Sequence, residues 1–144
     1  MKTLVLKVFE LLGAITELRY IDLDYGQLQE EMPPISYPAE LVKITVPNTE
    51  VINDFFQIAN AEVQITLCFK PKGETSILAP EEIRARALTY LDLNDDIHKE
   101  FQGYSDAMFD GFNRLSVSDP ALRRGLKTTV HRYSTSWRED IANS

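Results

Sequence analysis

The sequence predicts an α+β fold: an antiparallel β-sheet with two amphipathic helices packed on one face. Apolar residues recur at helical spacing in two long stretches, one at the N-terminus and one following Pro80. Other segments alternate apolar and polar residues with a period of two, the signature of half-buried strands. These strand-like segments come in runs, and runs of strands with helices gathered to one side form α+β layers rather than a doubly wound sheet.

The first helix is expected from about Thr3 to Leu18, with Leu4, Val8, Leu11, Leu12, Ile15 and Leu18 on one stripe. Lys7, Glu10 and Glu17 interrupt any continuous apolar segment and a small-residue cleavage site is missing, so this stretch reads as a structural helix and not a signal peptide. A short extended piece, RYIDL, leads into DLDYGQLQ, Asp22 to Gln29. MPP at Met32 to Pro34 forbids regular structure, because each proline removes a donor and restricts its predecessor.

After Pro38, AELVKITV alternates, with Leu41 and Thr45 on one side and Val42, Ile44 and Val46 on the other. Pro47 to Asn60 is expected to be a loop with some strand in it. AEVQITLCFK is the clearest strand: Val63, Ile65, Leu67 and Phe69 face one way, Glu62, Gln64, Thr66 and Cys68 the other. KPKGET punctuates the chain.

The second helix opens with APEE. Pro80 suits the first turn, and Glu81 and Glu82 complement the positive end of the dipole. Ile83, Ala87, Tyr90, Leu91, Asn94, Ile97 and Phe101 form the expected stripe, with a bend at the polar Asn94 and a stop at Gly103. FDGFNRLSVS is expected to be a strand and DPALRRG a turn. LKTTVHRYSTSW is expected to be a half-buried final strand, ending near Trp137 and available to neighbours at an edge or face. One domain, 1–144, holds all of this.

A chain of 144 residues, 44% hydrophobic and 26% charged, is long enough to bury a core without staples. No run of eighteen apolar residues occurs, so no transmembrane helix and no membrane partner are expected. The single Cys68 excludes an internal disulfide, reads as a small apolar strand residue and fits a cytoplasmic location. The net charge of −7 argues against general nucleic-acid recognition. That charge is uneven: Glu81 to Asp110 carries eight acids and three bases, Arg114 to Arg138 six bases and one acid. A head-to-tail contact between identical subunits could use such an asymmetry.

The two aspartates of DLDYGQLQ invite a metal or phosphoryl-transfer reading. An EF-hand loop from Asp22 would need an oxygen ligand, a glycine and a glutamate where the chain has Gly26, Gln27 and Pro33. A phosphoryl-transfer aspartate belongs at the end of a buried parallel strand, whereas here a helix and only a short extended piece precede it. Aspartate and glycine favour a polar turn.

His98 and His131 have no histidine or cysteine partner at metal-ligand spacing, and both are expected at the surface. A nucleophilic site would have to bring one of them to Cys68 or a serine in space. Arg123 and Arg124 could bind phosphate, or simply be solvated. Tyr20, Tyr25, Tyr37, Tyr90 and Tyr104 have no basic interleaving for base stacking. The residues point to no enzyme, no cofactor and no metal, and to a protein that binds or assembles.

Four stretches resemble the tail-terminator, or tail-completion, proteins of long-tailed bacteriophages and prophages. These are the first helix running into LRYIDLDYGQLQ; YPAELVKI with VQITLCF; ALTYLDLNDDIHKEFQGY; and NRLSVSDPALRRGLKTTVHRYSTSW. The resemblance implies two helices on an antiparallel sheet and a homohexameric ring. That ring would cap the tail tube and meet the head connector, first in the host cytoplasm and then in the virion tail. Under it, Arg114, Arg123, Arg124, Lys127 and Arg132 would form one side of the subunit contact, and Asp92, Asp95, Asp96 and Glu100 the other. A small bacterial ligand-binding or adaptor domain is the alternative, and a metal-dependent hydrolase using Asp22 and Asp24 a third.

Overall fold

The computed structural model describes residues 1–71, 73, 75–119 and 125–140. Helix α1 spans Lys2–Gly13 and buries Leu4, Val8, Leu11 and Leu12, the spacing of a single stripe. It ends five residues earlier than the periodicity predicts. Ile15 N–H bonds Leu12 O and Leu18 N–H bonds Ile15 O, so the apolar spacing continues through turns rather than helix. Strand β1, Tyr20–Leu23, follows, and a 3-10 turn covers Gln27–Gln29.

Strand β2, Ala39–Val51, and strand β3, Phe56–Phe69, form one long antiparallel hairpin. The segment Pro47–Asn60 is therefore mostly strand, not loop. Its irregularity is local: register shifts between Thr45 and Asn48, where β2 carries an extra residue. Pro47 lies in this bulge, one of the few places a sheet tolerates a residue without an N–H. At the hairpin tip, Asn53 Oδ1 accepts from the N–H groups of Phe55 (2.7 Å) and Phe56 (3.2 Å).

The second helical region is two helices, α2 at Glu81–Ala87 and α3 at Thr89–Phe101. The break falls at Leu88, not Asn94. Thr89 Oγ1 donates to Arg86 O at 2.8 Å, tying the new helix to the end of the old one. The break re-aims the stripe: Leu93 is buried, while Ile83 and Leu91 are exposed. Gly103 follows at φ 76, a conformation that glycine adopts without a Cβ penalty.

Strands β4, Asn113–Ser118, and β5, Lys127–Asp140, complete a five-stranded sheet in the order β1-β2-β3-β5-β4. The fold is α+β. All pairs are antiparallel except β1 with β2, which makes the sheet mixed. The final strand is not an edge: β5 pairs with β3 along its whole length and with β4 on its other side. Its alternating threonines and serines reflect one face on the core and one facing away from the helices, and β4 takes the edge.

Both α1 and α3 pack on the sheet face bearing Val42, Val63, Ile65, Leu67, Phe69, Tyr133 and Trp137. Aromatic rings fill this layer. Phe101 lies 5.2 Å from Tyr133 and edge-on to Phe112 at 5.7 Å, and Phe109 lies 6.3 Å from Trp137. Each such pair contributes about 0.5–1.5 kcal/mol beyond its burial.

Candidate assembly surfaces

DLDYGQLQ forms a polar turn. Asp22 accepts from Tyr20 OH at 2.9 Å and Leu23 N–H at 2.7 Å. Asp24 accepts from Gly26 N–H at 2.9 Å, with Gly26 at φ 86. Gln27 closes the turn, accepting from Tyr25 N–H and donating to Leu23 O. Both carboxylates thus hold the backbone that carries them. Among the described residues no group of three or more His, Cys, Asp or Glu is placed to hold a metal ion.

The histidines differ from expectation. His131 is 1% exposed on the helix-facing side of β5, and His98 is half-buried, its Nδ1 2.9 Å from Tyr133 OH. Period-two alternation places residue 131 beside Tyr133 on the core side, and the partner that makes its burial tolerable is Asn94.

The hydrogen bonds form a directed string. Asn94 Nδ2 donates to Thr129 Oγ1 at 3.3 Å, and Thr129 donates to Asp119 Oδ1 at 3.2 Å. Asn94 Oδ1 must then accept from His131 Nε2, at 2.9 Å, which assigns the proton to Nε2 and leaves Nδ1 without a partner among the described residues. Burial first, and then the nearby positive charge of Arg114, lower the His131 pKa to about 4. The string docks α3 on the sheet.

The open surfaces lie elsewhere. All six residues of β4 are exposed, including Leu115 and Val117. Arg114 N–H is taken by Gln102 Oε1 at 2.9 Å, so the open edge begins at Leu115. On the far side of the sheet, β1 covers β2 only from Ala39 to Val42, leaving the distal end of β2 as a second edge among the described residues. The hairpin tip exposes Val51, Ile52 and Phe55. Sequence reasoning missed this apolar tip, although apolar pairs flanking Asn53-Asp54 are a hairpin signal.

A cavity of about 650 Å³ lies where α3 begins, with Arg19, Tyr37, Lys70, Tyr90, Asp92 and Asp96 among its lining residues.

The charged residues proposed for a subunit contact are spread over several elements. Arg114 lies on β4, Lys127 and Arg132 on β5, and Asp92, Asp95, Asp96 and Glu100 on α3. Arg132 pairs with Glu62 at 2.6 Å and Lys127 with Asp119 at 3.1 Å. Arg114 and Asp95 are near enough for both to act on His98, in opposite directions. Arg123 and Arg124 lie outside the described residues.

No protein-family model matches this sequence, and no curated protein matches it. Among solved structures, a chain from the virion of the native gene transfer agent particle is similar with a TM-score of 0.44 and 10% identity. The alignment covers 92% of this chain and 84% of that one. At that level the likeness carries no argument about function.

Proposed function

We propose that this chain is a structural protein of a phage or prophage virion, a tail-terminator-like subunit. Copies form a closed ring that caps the tail tube and joins it to the head connector. The observation that carries the reading is that, among the described residues, the sheet has open edges on both sides, β4 exposed throughout and β2 uncovered beyond Val42. An unpaired edge is a template for another chain, and globular domains ordinarily blunt or cover it. Edges on opposite sides of one sheet suit a head-to-tail contact, which closes into a ring when the rotation permits. The sequence resemblance adds the virion context and the six-fold count, and the chemistry of the site adds no competing catalytic reading.

The charged contact belongs to this proposal: Arg114, Arg123, Arg124, Lys127 and Arg132 against Asp92, Asp95, Asp96 and Glu100. Exposed pairs contribute about 0–1 kcal/mol each, so salt weakens the ring without abolishing its apolar and backbone contacts.

Light scattering with negative-stain imaging at low and moderate salt tests the reading. A six-membered ring with a central opening is expected, as is binding to the ends of purified tail tubes. A chain that stays monomeric and ignores tube ends refutes it.

The cavity beside Tyr90 favours a second reading, a small ligand-binding or adaptor domain. A ligand that occupies it raises the melting temperature with concentration, and Tyr90→Ala removes that rise.

A further inference from the structure

Building on the assembly reading, we propose that successive copies join through their sheets: β4 of one adds antiparallel to the Asn48–Val51 end of β2 in the next.

Strand direction supports this. From β2 to β4 each strand runs opposite to its neighbour, so β4 opposes β2 of a copy set beside it with helices on the same face. Antiparallel addition is then the natural continuation.

The free lengths set the register. On β2, Ala39–Val42 is covered by β1, and Pro47 brings no N–H to the bulge, so the clear edge begins at Asn48. On β4 the clear edge is Leu115–Ser118. Setting Ser116 opposite Glu50 places Val117 opposite Thr49 and Ser118 opposite Asn48.

The faces then agree. Val117 pairs with His131 and Thr49 with Ala59, both on the helix side. Ser116 and Ser118 pair with Arg132 and Val130, on the side away from the helices, as do Glu50 and Asn48 through Ile58 and Asn60. In the joined sheet Val117, 47% exposed in the single chain, lies diagonal to Val51, 71% exposed. Diagonal neighbours are within side-chain reach. A slip of one residue would reverse every face.

The register also has a geometric consequence. Within one chain Ser116 stands level with Lys43, through Arg132 and Gln64. Meeting Glu50 of the next copy requires a slide of about six rungs, roughly 20 Å, over a repeat of four strands, β2-β3-β5-β4, about 19 Å wide. The strands then incline by roughly 45°, at the upper end of the ~35–45° tilt of closed sheets.

The test uses Val117→Lys and Thr49→Lys, because an edge lysine blunts strand addition. It also uses separately purified Val117→Cys and Thr49→Cys chains, mixed under mild oxidation. Cys68 is buried and leaves the engineered thiols to react. The expected result is a melting temperature within about 2 °C of the parent for either lysine variant, because both positions lie at an edge. Each should also show at least a tenfold rise in the concentration for half-assembly, and the mixed cysteine chains should cross-link 117 to 49. Normal assembly of both lysine variants, without that cross-link, overturns the edge contact while leaving assembly intact. A Val117→Cys chain that cross-links only to itself indicates two-fold β4 pairing, and also overturns it. A wild-type chain that never assembles refutes both the edge contact and the function on which it rests.

Discussion

Replacing Glu40 with leucine should stabilise the protein, and increasingly so as pH rises. Glu40 is fully buried on the helix-facing side of β2, between Ile21 of β1 and Leu67 of β3. Neither carboxyl oxygen has a hydrogen-bond partner among the described residues. Burial alone pushes its pKa well above the ordinary 4.5, so the folded chain holds the group as a neutral acid.

An unsatisfied buried polar group costs about 1–3 kcal/mol, and leucine at similar volume removes that cost. For a chain of this size the gain corresponds to roughly 3–10 °C in melting temperature. The pH dependence follows from linkage. Between the unfolded and the raised folded pKa, the native state binds the proton more tightly than the unfolded state does. Stability attributable to Glu40 is therefore fully present below about 4.5 and is lost as pH rises, at up to about 1.4 kcal/mol per unit.

Urea unfolding of wild type and Glu40→Leu at pH 5, 6, 7 and 8 isolates the term, since other titrating groups cancel in the difference. The gap should widen from pH 5 upward. A variant less stable than wild type, or a gap that does not change with pH, would refute the reasoning.

His131 should act with the opposite sign. Its folded pKa is lowered to about 4 from 6.5, so its contribution is present above 6.5 and lost as pH falls towards 4. The His131→Gln variant should lack that loss in acid-side urea titrations, once its own stability at pH 8 is set as reference. Asn94→Ala leaves His131 Nε2 unpartnered in the core and takes away the donor to Thr129, and should destabilise by about 2–4 kcal/mol, read by thermal unfolding. Gly26→Ala puts a Cβ at φ 86 and should cost about 1–2 kcal/mol, while Gly13→Ala, with open space around it, should not destabilise. Asp22→Ala with Asp24→Ala should lower stability without changing divalent-metal binding by calorimetry, because both carboxylates serve the turn.

By itself the sequence determined the amphipathic face of α1, the alternation of β3, the stop at Gly103 and the α+β layering. These depend on local periodicity, which a residue's immediate neighbours set. It also read DLDYGQLQ as a polar turn, because turn chemistry acts within four residues. Only the tertiary structure decided the rest. Pro47 in the sequence reads as a breaker, and only pairing across to Glu62 and Asn60 turns it into a bulge within a strand. The polar His131 looks like a surface residue, and Asn94 like a bend in its helix stripe, until strand and helix meet and each supplies the other's hydrogen bond. The place of β5 inside the sheet, with β4 at its edge, is likewise a matter of non-local pairing. Which edges remain open for another chain follows from strand order, and no window of local sequence contains that information.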